Sequence, residues 1–229
     1  MMRVVAIDGP AASGKSSTAR AVARAIGFHH LDSGALYRAL TRVALDGGLD
    51  PTDLNIPRLL RLAESRGLGL RPEGEDFVPL LDGLPAEHLI RTPEVTAAVS
   101  AVSAVPEVRD WANARMRALA EAGVPIVVDG RDIGSVVFPE AGLKIFLYAK
   151  SLVRAMRRLA QEGRTPTNEE ILAEAERLKA RDKADASRAV APLVSPDDAV
   201  ELDSSRMTFD EQVEGIASLA RAVYQLPEP

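Results

Sequence analysis

Cysteine is absent from the 229-residue chain, which excludes a disulfide framework and any thiolate metal site. Histidine is scarce: the three residues, His29, His30 and His88, form no catalytic array, and no role is expected of them beyond a structural or surface one. Lysine is scarce too. Five lysines stand against twenty-three arginines, a bias that heat adaptation and genome base composition both produce. The net charge of −5 argues against a general nucleic-acid binder. No apolar run approaches the ~18 residues of a membrane span. The opening MMRVVAIDGPAASGK lacks the longer apolar stretch and cleavage site of a signal peptide. The expectation is a cytoplasmic monomer without nucleic-acid or membrane partners.

The composition that remains is that of a folded protein, 46% hydrophobic and 27% charged, with a length that suits one α/β domain carrying insertions. Residues 3–7 are a valine-rich buried strand ending in Asp8-Gly9-Pro10. Residues 15–26 switch to helical spacing, with Ala19, Val22, Ala23 and Ile26 on one face and Gly27 as the stop. A second strand is expected near 28–31 and a helix over about 35–45. This β-loop-α-β alternation predicts a parallel sheet with helices on both faces. Over residues 68–84 the texture changes to short segments broken by Pro72, Gly74 and the Asp82-Gly83 turn pair, the pattern of small antiparallel strands inserted on the core. Thr92-Pro93 and Pro106 open helices. Strands follow over 124–128 and 143–149. Thr167 to Glu170 has the form of a capping box for a charged helix to about 182, and Thr208 to Glu211 caps a last helix after a strand near 199–202.

Gly9-Pro10-Ala11-Ala12-Ser13-Gly14-Lys15-Ser16, followed by Ser17, fits G-x-x-x-x-G-K-[ST] between a strand and a helix, the context this motif requires. The loop curls so that backbone N–H groups face phosphate oxygens, and the helix adds its positive dipole end. Lys15 is expected to reach the β- and γ-phosphates, and Ser16 to ligate Mg²⁺. The pattern establishes a nucleoside triphosphate site. Asp129, after the strand at 124–128, is in a Walker-B-like setting and is expected either to act on the metal through water or to pair with Lys15 or Ser16.

A second anion site is expected where Leu31-Asp32-Ser33-Gly34 joins a strand to a helix, with Tyr37 and Arg38 one turn further on. The phosphate loop, LDSGALYR, VVDGRDIGSVVFP (residues 127–139) and RAVAPL (residues 188–193) together resemble bacterial cytidylate kinases over essentially the whole chain. The resemblance implies a P-loop kinase core, a doubly wound parallel sheet of about five strands, in a single domain spanning 1–229. It further implies a monophosphate-binding insertion at about 62–105. Residues 161–196, with little apolar surface, many arginines and a helix that could bury little, read as a mobile lid spanning about 151–190. The implied reaction moves the γ-phosphoryl group of ATP to CMP or dCMP, with Mg²⁺ as cofactor. The acceptor phosphate is then held by Ser33, Arg38, Arg131 and Arg188, the cytosine is read by Ser100, Arg109 and Asp132, and Arg181 and Asp185 reach the sugar. Ser103 is an equally small neighbour of Ser100 in the same run.

The chemistry of these residue types suits those roles. A carboxylate accepts from the cytosine N4 amino group, and an arginine donates to the ring acceptors. The nucleophile is a phosphate oxygen, dianionic near neutrality, so no general base is needed. Lys15, Arg131, Arg157 and Arg188 are the expected catalytic cations, and lid closure excludes water. A small P-loop kinase for UMP, AMP or shikimate is the nearest alternative. A guanine-nucleotide switch requires N-K-x-D, which the chain lacks.

Overall fold

The first strand, β1 (Val4–Asp8), is buried on both faces because its alternating side chains feed two different cores. Val4 and Ala6 pack into the larger one, and Val5 and Ile7 into the smaller. The computed structural model describes residues 2–161, 163 and 165–227, so positions 162 and 164 of the expected lid lie outside the described residues.

After β1 come α1 (Lys15–Ile26), β2 (His29–Asp32), α2 (Ser33–Asp46) and α3 (Ile56–Ser65). The insertion supplies β3 (Gly69–Glu73), β4 (Asp76–Leu81) and β5 (Leu84–Pro85), then α4 (Glu87–Ile90) and α5 (Pro93–Val102). The α/β rhythm resumes with α6 (Pro106–Glu121), β6 (Ile126–Gly130), a π-helical turn over Ile133–Val137 and β7 (Leu143–Tyr148). Helices α7 (Ser151–Ala160) and α8 (Asn168–Ala186), β8 (Val200–Asp203) and α9 (Phe209–Tyr224) complete the chain.

Strands β2, β6, β1, β7 and β8 are consecutive neighbours and all parallel, which is the five-stranded doubly wound sheet the sequence leads one to expect. Helices α1 and α9 cover one face through Ala19, Val22, Ile216 and Ala220, while α2, α5 and α6 cover the other. The insertion is not a separate layer. Its antiparallel strands β3, β4 and β5 extend the same sheet to eight strands through a single parallel bridge, His30 to Asp76. The Asp82-Gly83 pair makes the tight turn between β4 and β5, both residues having positive φ (54° and 76°).

Helix α8 is seated more firmly than its charge-rich sequence implies. Ala175 and Leu178 meet Ala155 of α7 and Ala11 of the phosphate loop in a small third core, with Ile171 packed against it. On the same face, Asp182 accepts from the Ala11 N–H at 2.9 Å, and Arg154 of α7 bridges Asp182 (2.7 Å) and the Ala11 carbonyl (2.6 Å). Residues 171, 175, 178, 182 and 185 follow helical spacing, so one face joins a narrow apolar stripe to two acids that find arginines or amides.

Candidate active site

Each parallel strand ends at the same edge of the sheet, and the residues just beyond those ends line one cleft of about 1060 Å³. From β1 comes the phosphate loop, from β2 Ser33 and Gly34, and from β6 Arg131 and Asp132. Beyond β7 lies Arg157 on α7, and beyond β8 lie Met207, Phe209 and Gln212.

The phosphate loop is held from behind. A Cβ at Gly9 would lie 2.0 Å from the Leu147 carbonyl oxygen, so only glycine lets β1 turn there against β7. Ala12 and Gly14 have positive φ (58° and 90°), which turns the loop back on itself before α1. Neither α1 nor α2 has a side chain capping its N-terminus, which is also true of α4, α6 and α7, but the first residues of α1 and α2 line the cleft. Their free N–H groups therefore suit an anionic ligand. The Lys15 ammonium, 5% exposed, rests on the Pro10 carbonyl at 2.7 Å. Burial, then repulsion from Arg131, holds its pKa well below the usual lysine value.

Ser16 donates to Asp129 Oδ2 at 2.6 Å. Asp129 Oδ1 faces His30 Nε2 at 2.9 Å, and the other imidazole nitrogen, Nδ1, faces Asp76 Oδ1 at 2.8 Å. Burial works against charge on Asp129, but His30, Ser16 and Lys15 hold its carboxyl below the usual range. Burial and the Asp129 charge push the neighbouring Asp32 up. A hydroxyl and an ionised carboxylate in contact at the mouth of a phosphate loop are hard oxygen donors, which fits Mg²⁺ rather than a soft metal.

The half of the cleft away from the phosphate loop is floored by an ion pair. Arg109 donates to Asp132 Oδ2, and both residues are less than a tenth exposed. Arg109 also donates to the Ser103 carbonyl at 3.1 Å, and its guanidinium lies 5.2 Å from the centre of the Tyr37 ring. Burial pushes the Tyr37 phenol up to about 12, so it stays protonated and donates to Asn113. Ser100 is exposed to the cleft, while the Ser103 hydroxyl turns back to the Ser100 carbonyl at 3.3 Å. Ser33 donates to the Asp129 carbonyl at 2.7 Å, tying the start of α2 to the end of β6.

Arginines crowd the wall between the halves: Arg38, Arg91, Arg131, Arg157, Arg158, Arg181 and Arg188 all line it. Burial and then Arg131 depress the pKa of Arg181, and burial and then Arg91 that of Arg38, the mark of cations gathered with too little negative charge among them. Arg131 Nε donates to Asp185 Oδ2 at 2.8 Å, and Arg188 donates to Asp185 Oδ1. Both oxygens of Asp185 are engaged, so any contact it makes to a sugar shares these bonds. Arg157 donates to Ser204 (hydroxyl 3.2 Å, carbonyl 2.7 Å), which draws it toward the β8–α9 connection.

Of the residues expected in the site, Ala12, Ser13, Gly14, Lys15, Ser16 and Ser17 line the cleft together with every expected acceptor residue, and Gly9, Pro10 and Ala11 support the loop from below. Composition and spacing give no sign of Arg91, which bridges Glu87 (2.7 Å) and Asp32 (3.1 Å) at the cleft wall. Nor do they signal Met207, Phe209 and Gln212, or His30, for which no role beyond structure or surface is expected.

A phosphate loop on a doubly wound sheet, across an arginine-lined cleft from the uncapped start of α2, is the arrangement of a P-loop kinase. The sequence profile of the family described as cytidylate kinase matches residues 5–222. Relatives named cytidylate kinase include proteins of Limosilactobacillus reuteri (strain DSM 20016), 41% identical and covering 95% of this chain and 94% of the relative, and of Mycobacterium avium (strain 104), 42% identical and covering 95% of each. Another, from Rhodococcus opacus (strain B4), is 44% identical over 92% of this chain and 91% of its own length. The solved structure of TT1252 from Thermus thermophilus matches 95% of this chain and 96% of that one at 25% identity, with a TM-score of 0.43. The chain belongs to the cytidylate kinase family, and through it to the nucleoside monophosphate kinases. Among the described residues no helix is long and apolar enough to cross a membrane.

Proposed function

We propose that the chain transfers the γ-phosphoryl group of ATP to CMP or dCMP, giving ADP and CDP or dCDP. The observation that carries this reading is the buried Arg109–Asp132 pair on the cleft floor. Arg109 engages Asp132 through Oδ2, which leaves Oδ1 to accept from an exocyclic amino group. A base with a carbonyl there, as in uracil, sets acceptor against acceptor.

The donor triphosphate lies along the phosphate loop, with Lys15 released from Pro10 onto its β- and γ-phosphates. Ser16 and Asp129 would hold the metal, Asp129 acting through water. Mg²⁺, when bound, neutralises charge on the phosphates. Met207, Phe209 and Gln212 line the cleft, and Gln212 donates to Thr18 of α1, so they bound the donor side. On the acceptor side, Ser33, Arg38, Arg131 and Arg188 hold the monophosphate, with Ser100 at the base and Arg181 and Asp185 toward the sugar. The attacking group is a phosphate oxygen that is already ionised, so no side chain has to remove a proton. The task left to the protein is to bring two polyanions together, and the arginines on the dividing wall stabilise the charge that spreads over the transferring group.

A coupled ADP-release assay with Mg-ATP tests this reading against CMP, dCMP, UMP, AMP and no acceptor. Turnover with CMP and dCMP far above UMP, AMP and the blank is expected. Acceptor-independent ADP release contradicts phosphoryl transfer to a nucleotide.

A further inference from the structure

We propose that His30 is a positioning residue for the metal site, fixing the Asp129 carboxylate so that its Oδ2 meets Ser16, and that it couples this site to the inserted strand β4 through Asp76. The inference rests on the reading of Ser16 and Asp129 as the metal-holding pair.

His30 is 2% exposed, on the strand next to the one that carries Asp129. Its ring nitrogens face two different carboxylates, Asp129 Oδ1 at 2.9 Å and Asp76 Oδ1 at 2.8 Å. A carboxylate oxygen only accepts, so the Nε2 that faces Asp129 Oδ1 donates to it. The geometry divides the work on Asp129. His30 takes Oδ1 on the buried side, and Ser16 takes Oδ2 on the cleft side. Without the Nε2 donor, Oδ1 is buried and unpaired, and the carboxylate gains by rotating away from Ser16 to find one.

The far end of the chain of contacts is the insertion. Asp76 sits on β4, and its pairing with His30 is the only bridge between the inserted strands and β2 among the described residues. Arg20 of α1 donates to the same Asp76 oxygen at 2.8 Å, which holds that carboxylate in place. A continuous path, Asp76–His30–Asp129–Ser16, thus runs from the inserted strand β4 to the first turn of α1. A histidine that merely fills space needs neither acid.

Calorimetry of ADP binding, with Mg²⁺ and with excess EDTA, reads this role without turnover. In the wild type Mg²⁺ is expected to tighten ADP binding. In His30→Asn, whose shorter amide cannot reach Asp129 from the Nε2 position, that Mg²⁺-dependent gain is expected to shrink roughly 10-fold or more, with metal-free ADP and CMP affinities unchanged. His30→Gln places its amide nitrogen where Nε2 was and is expected to restore most of the gain. Asp76→Asn, at the partly exposed end of the path, is expected to act in the same direction but less. An undiminished Mg²⁺ gain in His30→Asn, or an equal loss with and without metal, overturns the inference. No Mg²⁺ gain in the wild type overturns the reading of the Ser16–Asp129 site and this inference with it.

Discussion

Asp8, the last residue of the strand that leads into the phosphate loop, accepts a hydrogen bond from the Gly134 backbone N–H at 2.7 Å, and a second from Ile133 at 2.9 Å. These amides open the π-helical turn that directly follows Asp132. The phosphate loop and the segment that carries Asp132 are therefore fastened to one another by a single buried carboxylate.

That fastening is held at a cost, which gives a pH-dependent prediction. Burial pushes the Asp8 carboxyl up to about 6 from 3.8, against the pull of the two amides. A carboxyl whose pKa is raised on folding favours the folded state most below pH 3.8 and loses that advantage as the pH rises through about 6. Relative to Asp8→Asn, the wild type is expected to lose about 3 kcal/mol of stability across that window and little more above it. Urea midpoints of the two proteins between pH 4 and 8 measure it. A difference independent of pH contradicts the account.

Lys15 combines burial with repulsion from Arg131, so it is held in place against its own electrostatics. Lys15→Met is expected to lower turnover about 100- to 1,000-fold. The same variant is expected to unfold at the wild-type temperature or above it, because burial and Arg131 disfavour the Lys15 charge more than Asp129, Asp8 and Asp182 favour it. Parallel rate and thermal-melt measurements decide it, and a lowered melting temperature assigns Lys15 a structural role instead.

Gly9→Ala addresses backbone rather than charge. The added methyl meets the Leu147 carbonyl at 2.0 Å, between two strands that cannot separate without losing their pairing. The expected loss is roughly 2–4 kcal/mol, from strain at a position with no room to relax. Gly163→Ala is the matched control, since nothing lies within 4 Å of its added Cβ, although its φ of +76° gives it a backbone cost. Denaturant unfolding of the pair should show Gly9→Ala as much the worse.

How much of this is legible in the sequence depends on distance along the chain. The phosphate loop is contiguous, and its strand–turn–helix context can be recognised from local residues alone. The capping boxes at Thr167 and Thr208 are legible for the same reason, each being four residues long. Helix α3 is also marked locally, by Asn55 as cap and Pro57 in its first turn. The cross-links that make the cleft one unit are not local: Asp8 meets Gly134 across 126 positions, Arg131 meets Asp185 across 54, and His30 meets Asp76 across 46. No periodicity encodes such pairs. Acidic and basic residues at these positions read equally well as solvated surface until the fold brings them together. The same holds for α8, whose stripe at 171, 175 and 178 is too narrow to stand out among charges, yet it suffices to seat the helix on α7.

The central claim is that Asp132, oriented by Arg109, selects cytosine. Its most direct test is kcat/KM for CMP and for UMP, measured side by side on the wild type and on Asp132→Asn. Asparagine keeps the shape but presents an amide donor that suits a carbonyl as well as an amino group. The wild type is expected to favour CMP over UMP by about 100-fold or more, and the variant to lose most of that preference, chiefly through a fall with CMP. Equal use of CMP and UMP by the wild type, or an unchanged ratio in the variant, contradicts the account.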